Sequence, residues 1–337
     1  MTQPLQAVPS NGSNTGFLDV VRSELQSVEH ALKAAVASEV HAVDAVAQHV
    51  LLAGGKRLRP ATVVLTARAL GLQGDSERMV AVAAAMEIVH TATLVHDDVV
   101  DNTSVRRGAA TANAVFGNGV AVISGDFLLA RAVSMLAQES ETRLIRTVAD
   151  VTVDMSEGEV QELITTGEPK LTEAAYFALI HKKTASFIEG CCRCGAIVAG
   201  ADSDLERAVA TYGLNVGMAF QLADDLLDYV GDPAVTGKPI GTDLREGRAT
   251  LPFLYGLQRA SNGHRERLLA AFASPALREA SIAAVVRTLD NLGAFDHARE
   301  VARAHAETAK QALRGLERTV YRDALELLAD YAAERDR

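Results

Sequence analysis

Residues 76–101 read SERMVAVAAAMEIVHTATLVHDDVVD, and this stretch decides the fold. Ala and Val fall on nearly every side of a helix drawn through Ser76 to His96. A helix that is apolar all round is buried, so this one crosses a core. It ends in Asp97, Asp98 and Asp101 and delivers three carboxylates to a cavity. A second stretch, FQLADDLLD at 220–228, repeats the DDxxD pattern with Asp224, Asp225 and Asp228. Helical positions i and i+4 share a face, so Asp97 points with Asp101 and Asp224 with Asp228. Asp98 and Asp225 flank those faces. Carboxylates this close repel unless something positive sits between them. A single such motif on a surface helix is usually solvated charge. Two copies, one among Leu94, Val95, Val99 and Val100 and the other among Phe220, Leu222, Leu226 and Leu227, point instead to Mg²⁺. Magnesium is a hard ion that bridges carboxylates to substrate phosphates. Opposed clusters of this kind hold a diphosphate between them.

The pattern outward from this helix is helical almost throughout. Leu18, Val21, Leu25, Val28 and Leu32 recur at three- and four-residue steps, which predicts a helix from Phe17 to about residue 52. Gly54 and Gly55 break it, and Pro60 opens the next helix. Further helices are expected at about 119–137, 141–164, 172–199 and 203–230, with a Gly- and Pro-rich loop over 231–250 and helices again after Pro252. Strand-like alternation is scarce. The expected fold is all-α: a large helical bundle around a deep central cavity. Residues 1–16, rich in Pro, Ser, Asn, Gly and Thr, read as a mobile tail. Residues 17–337 read as one continuous domain, since acids from both halves serve one site.

Bulk composition narrows the function. The chain has 337 residues, 48% of them hydrophobic, enough for a large core. A net charge of −10 speaks against a nucleic-acid partner and against polybasic membrane anchoring. With no Trp and 4% aromatic residues, base-stacking platforms are not expected either. No basic segment followed by an apolar core marks a secretory signal. No apolar run is read as reaching the roughly 18 residues that span a bilayer. The expected location is cytoplasmic. Cys191, Cys192 and Cys194 crowd one stretch without CxxC spacing, and read as small residues packed in a helix rather than a zinc site.

Bases gather at the chain breaks. GGKRLRP at 54–60 places Lys56, Arg57 and Arg59 beside two glycines at a helix entrance, a setting that favours anions. Guanidinium forks match phosphate oxygens, and Lys adds a point charge. Arg106 and Arg107 follow the first aspartates. Lys182, Lys183 and Thr184 lie in a helical stretch, and Lys238 sits in the loop after the second cluster, a few residues before Asp243. Basic groups with and without neighbouring acids suggest two diphosphate pockets, one with metal and one without.

From about residue 50 to residue 255 the chain resembles the trans-type polyprenyl (isoprenyl) diphosphate synthases. The resemblance is carried by GGKRLRP, HTATLVHDDVVD, the RRG after it, GDFLLARA at 125–132, HKKTASF, FQLADDLLD and GKPIGTDLREGRATLP, in this order. Arg248 stands where Lys is about equally expected. The resemblance implies that Lys56, Arg59, His90 and Arg107 hold isopentenyl diphosphate. Taken alone, His90 would read as a core histidine. The resemblance also implies that Asp97, Asp101 and, more peripherally, Asp98 bind Mg²⁺ on the allylic diphosphate, which Arg106, Lys183, Thr184, Gln221 and Lys238 contact. Asp224, with Asp225 and Asp228 near it, binds the remaining Mg²⁺, three ions in all. Asp97, Asp101, Arg106, Lys183, Asp224 and Lys238 form the catalytic set. His96 is left unassigned.

The growing product is expected to run down the buried helix past Thr93, Ala92, Val89, Met86 and Ala85. From Ala92 to Ala85 is about two turns, roughly 10 Å, with no aromatic block. In the family, small residues here imply a deep tunnel and a long product, heptaprenyl to decaprenyl, suited to quinone side chains. A homodimer and a transient membrane contact for product release are also expected. A shorter-chain (farnesyl or geranylgeranyl) synthase and a regulatory subunit are the alternatives. Terpene cyclases and squalene-type synthases need no isopentenyl diphosphate pocket, and a His-Asp phosphohydrolase built on His90, His96 and Asp97 leaves the second DDxxD unexplained.

Overall fold

A computed structural model describes residues 16–52, 55–106, 108–232 and 239–334. Apart from Gly16, the tail expected over 1–16 lies outside the described residues. A 3₁₀ turn, Gly16–Val21, leads into α1 (Arg22–Ala35) and α2 (His41–Leu52). The helix expected across this whole stretch is broken between the two. Ser38 Oγ accepts from the Val40 amide at 3.2 Å, a local bond that competes with the helical ladder. α3 (Leu58–Ala69) follows, and then α4 (Glu77–Val100), capped where Ser76 Oγ accepts from the Met79 amide at 3.1 Å. α4 runs past His96, so Asp97 and Asp98 lie in its last turn and Asp101 is its C-cap.

A small antiparallel ribbon, β1 (Val105–Arg106) and β2 (Ala109–Ala110), pairs Val105 with Ala110 and Arg106 with Ala109. Next come α5 (Ala112–Phe116), α6 (Asn118–Gln138), α7 (Thr142–Thr165) and α8 (Glu173–Ile180). The helix expected over 172–199 is one rod with a widened turn. α8 passes through a π segment, His181–Ala185, into α9 (Ser186–Ala199). Glycines on both flanking helices make room for that turn. A Cβ on Gly158 of α7 would lie 2.7 Å from the Lys183 amide nitrogen. One on Gly217 would lie 2.5 Å from Ala185 Cα. Gly217 belongs to α10 (Ser203–Val230), which spans the range the sequence predicts and is capped by Asp202 accepting from the Asp204 and Leu205 amides.

The remaining described helices are α11 (Thr242–Glu246), inside the expected loop, then α12 (Leu251–Arg259), α13 (Asn262–Phe272), α14 (Pro275–Asn291), α15 (Ala294–Ala312) and α16 (Val320–Glu334). The all-α expectation holds, with the short β1–β2 ribbon as the only strands among the described residues. α4 is sheathed by α6, α3, α1 and α9, while α10 packs along α9 and α15. Between them α4 and α10 carry the two acidic clusters out of the core.

Two helices, α4 and α6, are long and apolar enough to cross a membrane by length and composition. This corrects the expectation that no apolar run would reach that length. Reading for unbroken runs misses them, because Glu87, His90 and His96 interrupt α4 without lowering its mean hydropathy enough. In α4, 72% of the apolar window is buried, so its composition serves the core. In α6 only 33% is buried, and Val120, Ile123 and Val133 lie on the surface. The three cysteines of α9 are free and buried, as a packed helix requires. Burial pushes the Cys192 and Cys194 thiols up to about 12.

Candidate active site

The two DDxxD motifs are built alike. In each, the middle aspartate is buried and held by protein donors. Asp98, 5% exposed, accepts from Arg106 Nε at 2.7 Å. Asp225, 6% exposed, accepts from Tyr176 Oη at 2.5 Å and from Gln221 Nε2 at 2.7 Å. Burial pushes Asp225 up to about 7 even so. The outer aspartates are less enclosed, with Asp101 and Asp224 exposed and Asp97 and Asp228 part-buried. Asp228 accepts from the Thr242 and Asp243 amides, both at 3.0 Å, and so caps α11. Asp243 is thereby brought to the second cluster. Burial, with Asp225 and Asp228 adding to it, raises its carboxyl well above the usual carboxylate range.

Charged contacts through Glu159 and Glu162 of α7 link the surroundings of the two clusters. Lys183, carried by the π segment, pairs with Glu159 at 2.9 Å and with Glu162. Arg248 lies 3.7 Å from Asp101, 3.5 Å from Glu162, 3.8 Å from Asp243 and 3.0 Å from Glu246. One guanidinium therefore touches the first cluster, α7 and the neighbour of the second cluster. Burial would lower the Arg248 pKa, but these four carboxylates raise it. Asp97 is pushed up to about 7, first by burial and then by Glu159, with Lys183 and Arg106 pulling the other way. Among the described residues, no three His, Cys, Asp or Glu close on a common point tightly enough to hold a metal alone. The donor set still fits Mg²⁺: hard carboxylate oxygens whose crowding holds protons that a cation would displace.

A second pocket lies beside the first cluster. His49, Arg57, Glu87, His90, Asp98 and Arg106 are among the residues lining it. Arg106 faces it as well as Asp98, so it stands between the two pockets. His90 is buried, and its ring lies 6.0 Å from Phe187, over which Arg59 stacks at 5.6 Å. Lys56 donates to Tyr331 Oη at 2.5 Å and lies over that ring, tying the loop to α16.

The sequence-predicted residues Asp97, Asp98, Asp101, Arg106, Lys183, Thr184, Gln221, Asp224, Asp225 and Asp228 thus line or support one cleft. Thr184 Oγ1 donates to Gln221 Oε1 at 2.7 Å, joining the π segment to α10. His90 lines the second pocket; Lys56 and Arg59 are not among its lining residues, although Arg59 stacks on the Phe187 ring beside His90, while Arg107 and Lys238 lie outside the described residues. His96 turns to α6, with Nε2 3.1 Å from the Val122 carbonyl oxygen and 3.4 Å from Asp126. That direction speaks against a His-Asp phosphohydrolase centre. The sequence reading did not single out Glu159, Glu162, Tyr176 or the buried Glu87. Glu159 and Glu162 carried a usable signal, two acids three residues apart on one helix face after Gly158.

An all-α bundle with twin carboxylate clusters and paired cationic pockets is built to bind polyphosphate together with divalent cations. A family model described as polyprenyl synthetase matches residues 40–289, and the chain belongs to this family of polyprenyl diphosphate synthases. Octaprenyl diphosphate synthase of Escherichia coli (strain K12) is 36% identical over 319 residues, covering 95% of this chain and 98% of that protein. Heptaprenyl diphosphate synthase component 2 of Geobacillus stearothermophilus is 37% identical, covering 93% and 96%. The crystal structure of a polyprenyl synthase from Caulobacter crescentus CB15, complexed with calcium and isoprenyl diphosphate, superposes with a TM-score of 0.90 at 36% identity, covering 98% and 100%. The decaprenyl diphosphate synthase of Rhodobacter capsulatus also gives 0.90, at 33% identity, covering 96% and 100%.

Proposed function

We propose that this enzyme condenses isopentenyl diphosphate with an allylic diphosphate, head to tail, and extends the chain to a long all-trans polyprenyl diphosphate that serves as a quinone side-chain precursor. The observation that carries this reading is Arg248 spanning Asp101, Glu162 and Asp243, which draws both acidic clusters onto one cleft. The allylic diphosphate sits there, with Asp97, Asp101 and Asp224 toward the cations and Arg106, Lys183, Thr184, Gln221 and Lys238 toward its oxygens. These aspartates would hold three Mg²⁺ ions, which would supply Lewis-acid neutralisation of the leaving diphosphate. Asp98, Asp225 and Asp228, each held by donors, keep the neighbouring carboxylates in register. Lys56, Arg59, His90 and Arg107 hold isopentenyl diphosphate beside the first cluster, next to the pocket that His90 lines. Its double bond is thereby oriented toward the allylic carbon, and orientation supplies much of the rate. The cationic side chains stabilise charge as the C–O bond breaks and diphosphate departs; the isopentenyl double bond then forms the new C–C bond to the allylic carbon, and the proton lost to restore an alkene passes to the departed diphosphate. Apolar α4 and α9 keep water from the allylic cation.

The product path runs down α4 past Thr93, Ala92, Val89, Met86 and Ala85. The curated relatives named above make octaprenyl and heptaprenyl chains, which supports a long product. A 35%-identical relative named short chain isoprenyl diphosphate synthase keeps the shorter-chain reading in the test. The exposed apolar residues Ile123 of α6 and Val153, Val160 and Ile164 of α7 support a homodimer through these helices. The protein works in the cytoplasm as one catalytic unit over residues 17–337 and meets a membrane briefly to release its product. The test is purified protein with Mg²⁺, labelled isopentenyl diphosphate and an allylic primer, with chromatography of the derived alcohols. Long linear prenyl alcohols are expected. Cyclised hydrocarbon, free phosphate or no product would overturn the reading.

A further inference from the structure

Arg57 stands in an unusual place. It is the N-cap of α3, with φ 51° and ψ 38°, in the left-handed region. Side chains other than Gly, Asn and Asp seldom adopt that conformation, and Arg is not a capping residue. Something outside the backbone must hold it there. Its guanidinium reaches three separate elements. Nε donates to Glu29 Oε1 of α1 at 2.5 Å, and Nη1 donates to Glu87 Oε1 of α4 at 2.9 Å. Nη2 donates to the Leu51 carbonyl near the end of α2 at 3.1 Å. Glu87 is 6% exposed and sits one turn before His90 and Thr91. A buried carboxylate on an apolar helix needs a cation, and Arg57 supplies it.

Charge separates this role from ligand binding. Two carboxylates face the Arg57 guanidinium, so little positive charge is left to attract a diphosphate. Its neighbours flank it, Lys56 in the preceding loop and Arg59 in the first turn of α3. Glu87 shares its helix with His90.

We propose that Arg57 is a positioning residue: its bonds to Glu87, Glu29 and the Leu51 carbonyl lock the entrance of α3, residues 55–59, against α4, so that Lys56 and Arg59 meet His90 around a single diphosphate. This rests on reading Lys56, Arg59 and His90 as the isopentenyl diphosphate site. Lysine cannot replace Arg57, because one ammonium does not span three elements.

The test is steady-state kinetics of the full chain carrying Arg57→Lys, Glu87→Gln, both together, or Arg59→Ala. Arg57→Lys and Glu87→Gln should each raise the KM for isopentenyl diphosphate about tenfold, the scale of one charged hydrogen bond. The KM for the allylic substrate and kcat should stay within about twofold. The double variant should be no worse than the weaker single one, because both break one unit. Should Arg57→Lys fail to fold, Glu87→Gln, which keeps shape and one acceptor, decides alone. An unchanged KM in Glu87→Gln, while Arg59→Ala raises it, overturns the positioning role and spares the site reading. An unchanged KM in Arg59→Ala overturns the site reading and this proposal with it. A fall in kcat with both KM values unmoved also overturns it, since that is the mark of general damage.

Discussion

The phenol of Tyr176 donates to Asp225 at 2.5 Å, deep in the bundle, and with Gln221 it occupies both oxygens of that carboxylate. Asp225 therefore acts as a fixed strut inside the second cluster, and its neighbour Asp224 is left exposed at the cleft.

Tyr176→Phe removes one donor and leaves a buried carboxylate under-satisfied. A charged hydrogen bond is worth about 1.5–3 kcal/mol, so turnover should fall at least about tenfold and half-saturation by Mg²⁺ should move upward. Circular dichroism should show the helical content kept. A wild-type Mg²⁺ titration curve would contradict the strut.

Asp97→Ala and Asp224→Ala should each cut kcat by about 100-fold or more, the cost of losing a group that stabilises developing charge. Each should melt no lower than the parent, because each removes a carboxylate from a crowded acidic cluster. Near-normal turnover in either variant would remove the basis of the proposed mechanism.

The cleft should respond to pH in a defined direction. Asp97 titrates at 3.8 when unperturbed and at about 7 in the folded cleft, through burial and then Glu159. The folded state holds this proton more tightly than the unfolded chain does. The stability it contributes is present below about pH 4 and lost as pH rises through about 7. Metal-free protein should thus lose melting temperature from about pH 4 to about pH 7, and Asp97→Asn should shrink that loss. Mg²⁺ affinity should run the opposite way, falling as protons return to Asp97 below about pH 7. Calorimetry at several pH values checks both signs.

Ala92→Phe places a ring on α4 one turn and a residue before Asp97. Chromatography of the product alcohols should show a shorter chain, with the first condensation still proceeding. An unaltered length profile would place the product elsewhere.

Gly217→Ala tests the seat of the widened turn. Its Cβ would lie 2.5 Å from Ala185 Cα, a backbone contact that cannot swing aside. Overpacking of this kind costs about 1–3 kcal/mol. A lower denaturation midpoint is expected, with reduced activity because Lys183 and Thr184 ride on the displaced segment.

Much of this was legible in the sequence because it is periodic. α4 and α10 announce themselves through apolar residues on most faces, and the i, i+4 aspartates at their ends locate the cleft. The break after Ala35 was less visible, since it depends on a serine turning to its own backbone. The π segment has no sequence period at all; only the facing glycines Gly158 and Gly217 hint at it, and their partners are distant in the chain. Equivalent roles for all three aspartates of each motif could not be sorted by spacing. Which one turns inward depends on Arg106 in one case and on Tyr176 with Gln221 in the other. Lys183 was expected at a phosphate, and its pairing with Glu159 and Glu162 needed α7 to be placed beside it.

Ala85, Met86 and Val89 are wholly enclosed, with Met86 Sδ 3.9 Å from Cys194 Sγ. On the proposed path, a lengthening tail must part these contacts and take their place. The enzyme then trades its own interior packing for that of its passenger. Each isoprene added hides more hydrocarbon from water, at roughly 25 cal/mol per Å², so late intermediates are gripped harder than early ones. Processive growth follows from this gradient, and so does a sluggish final departure.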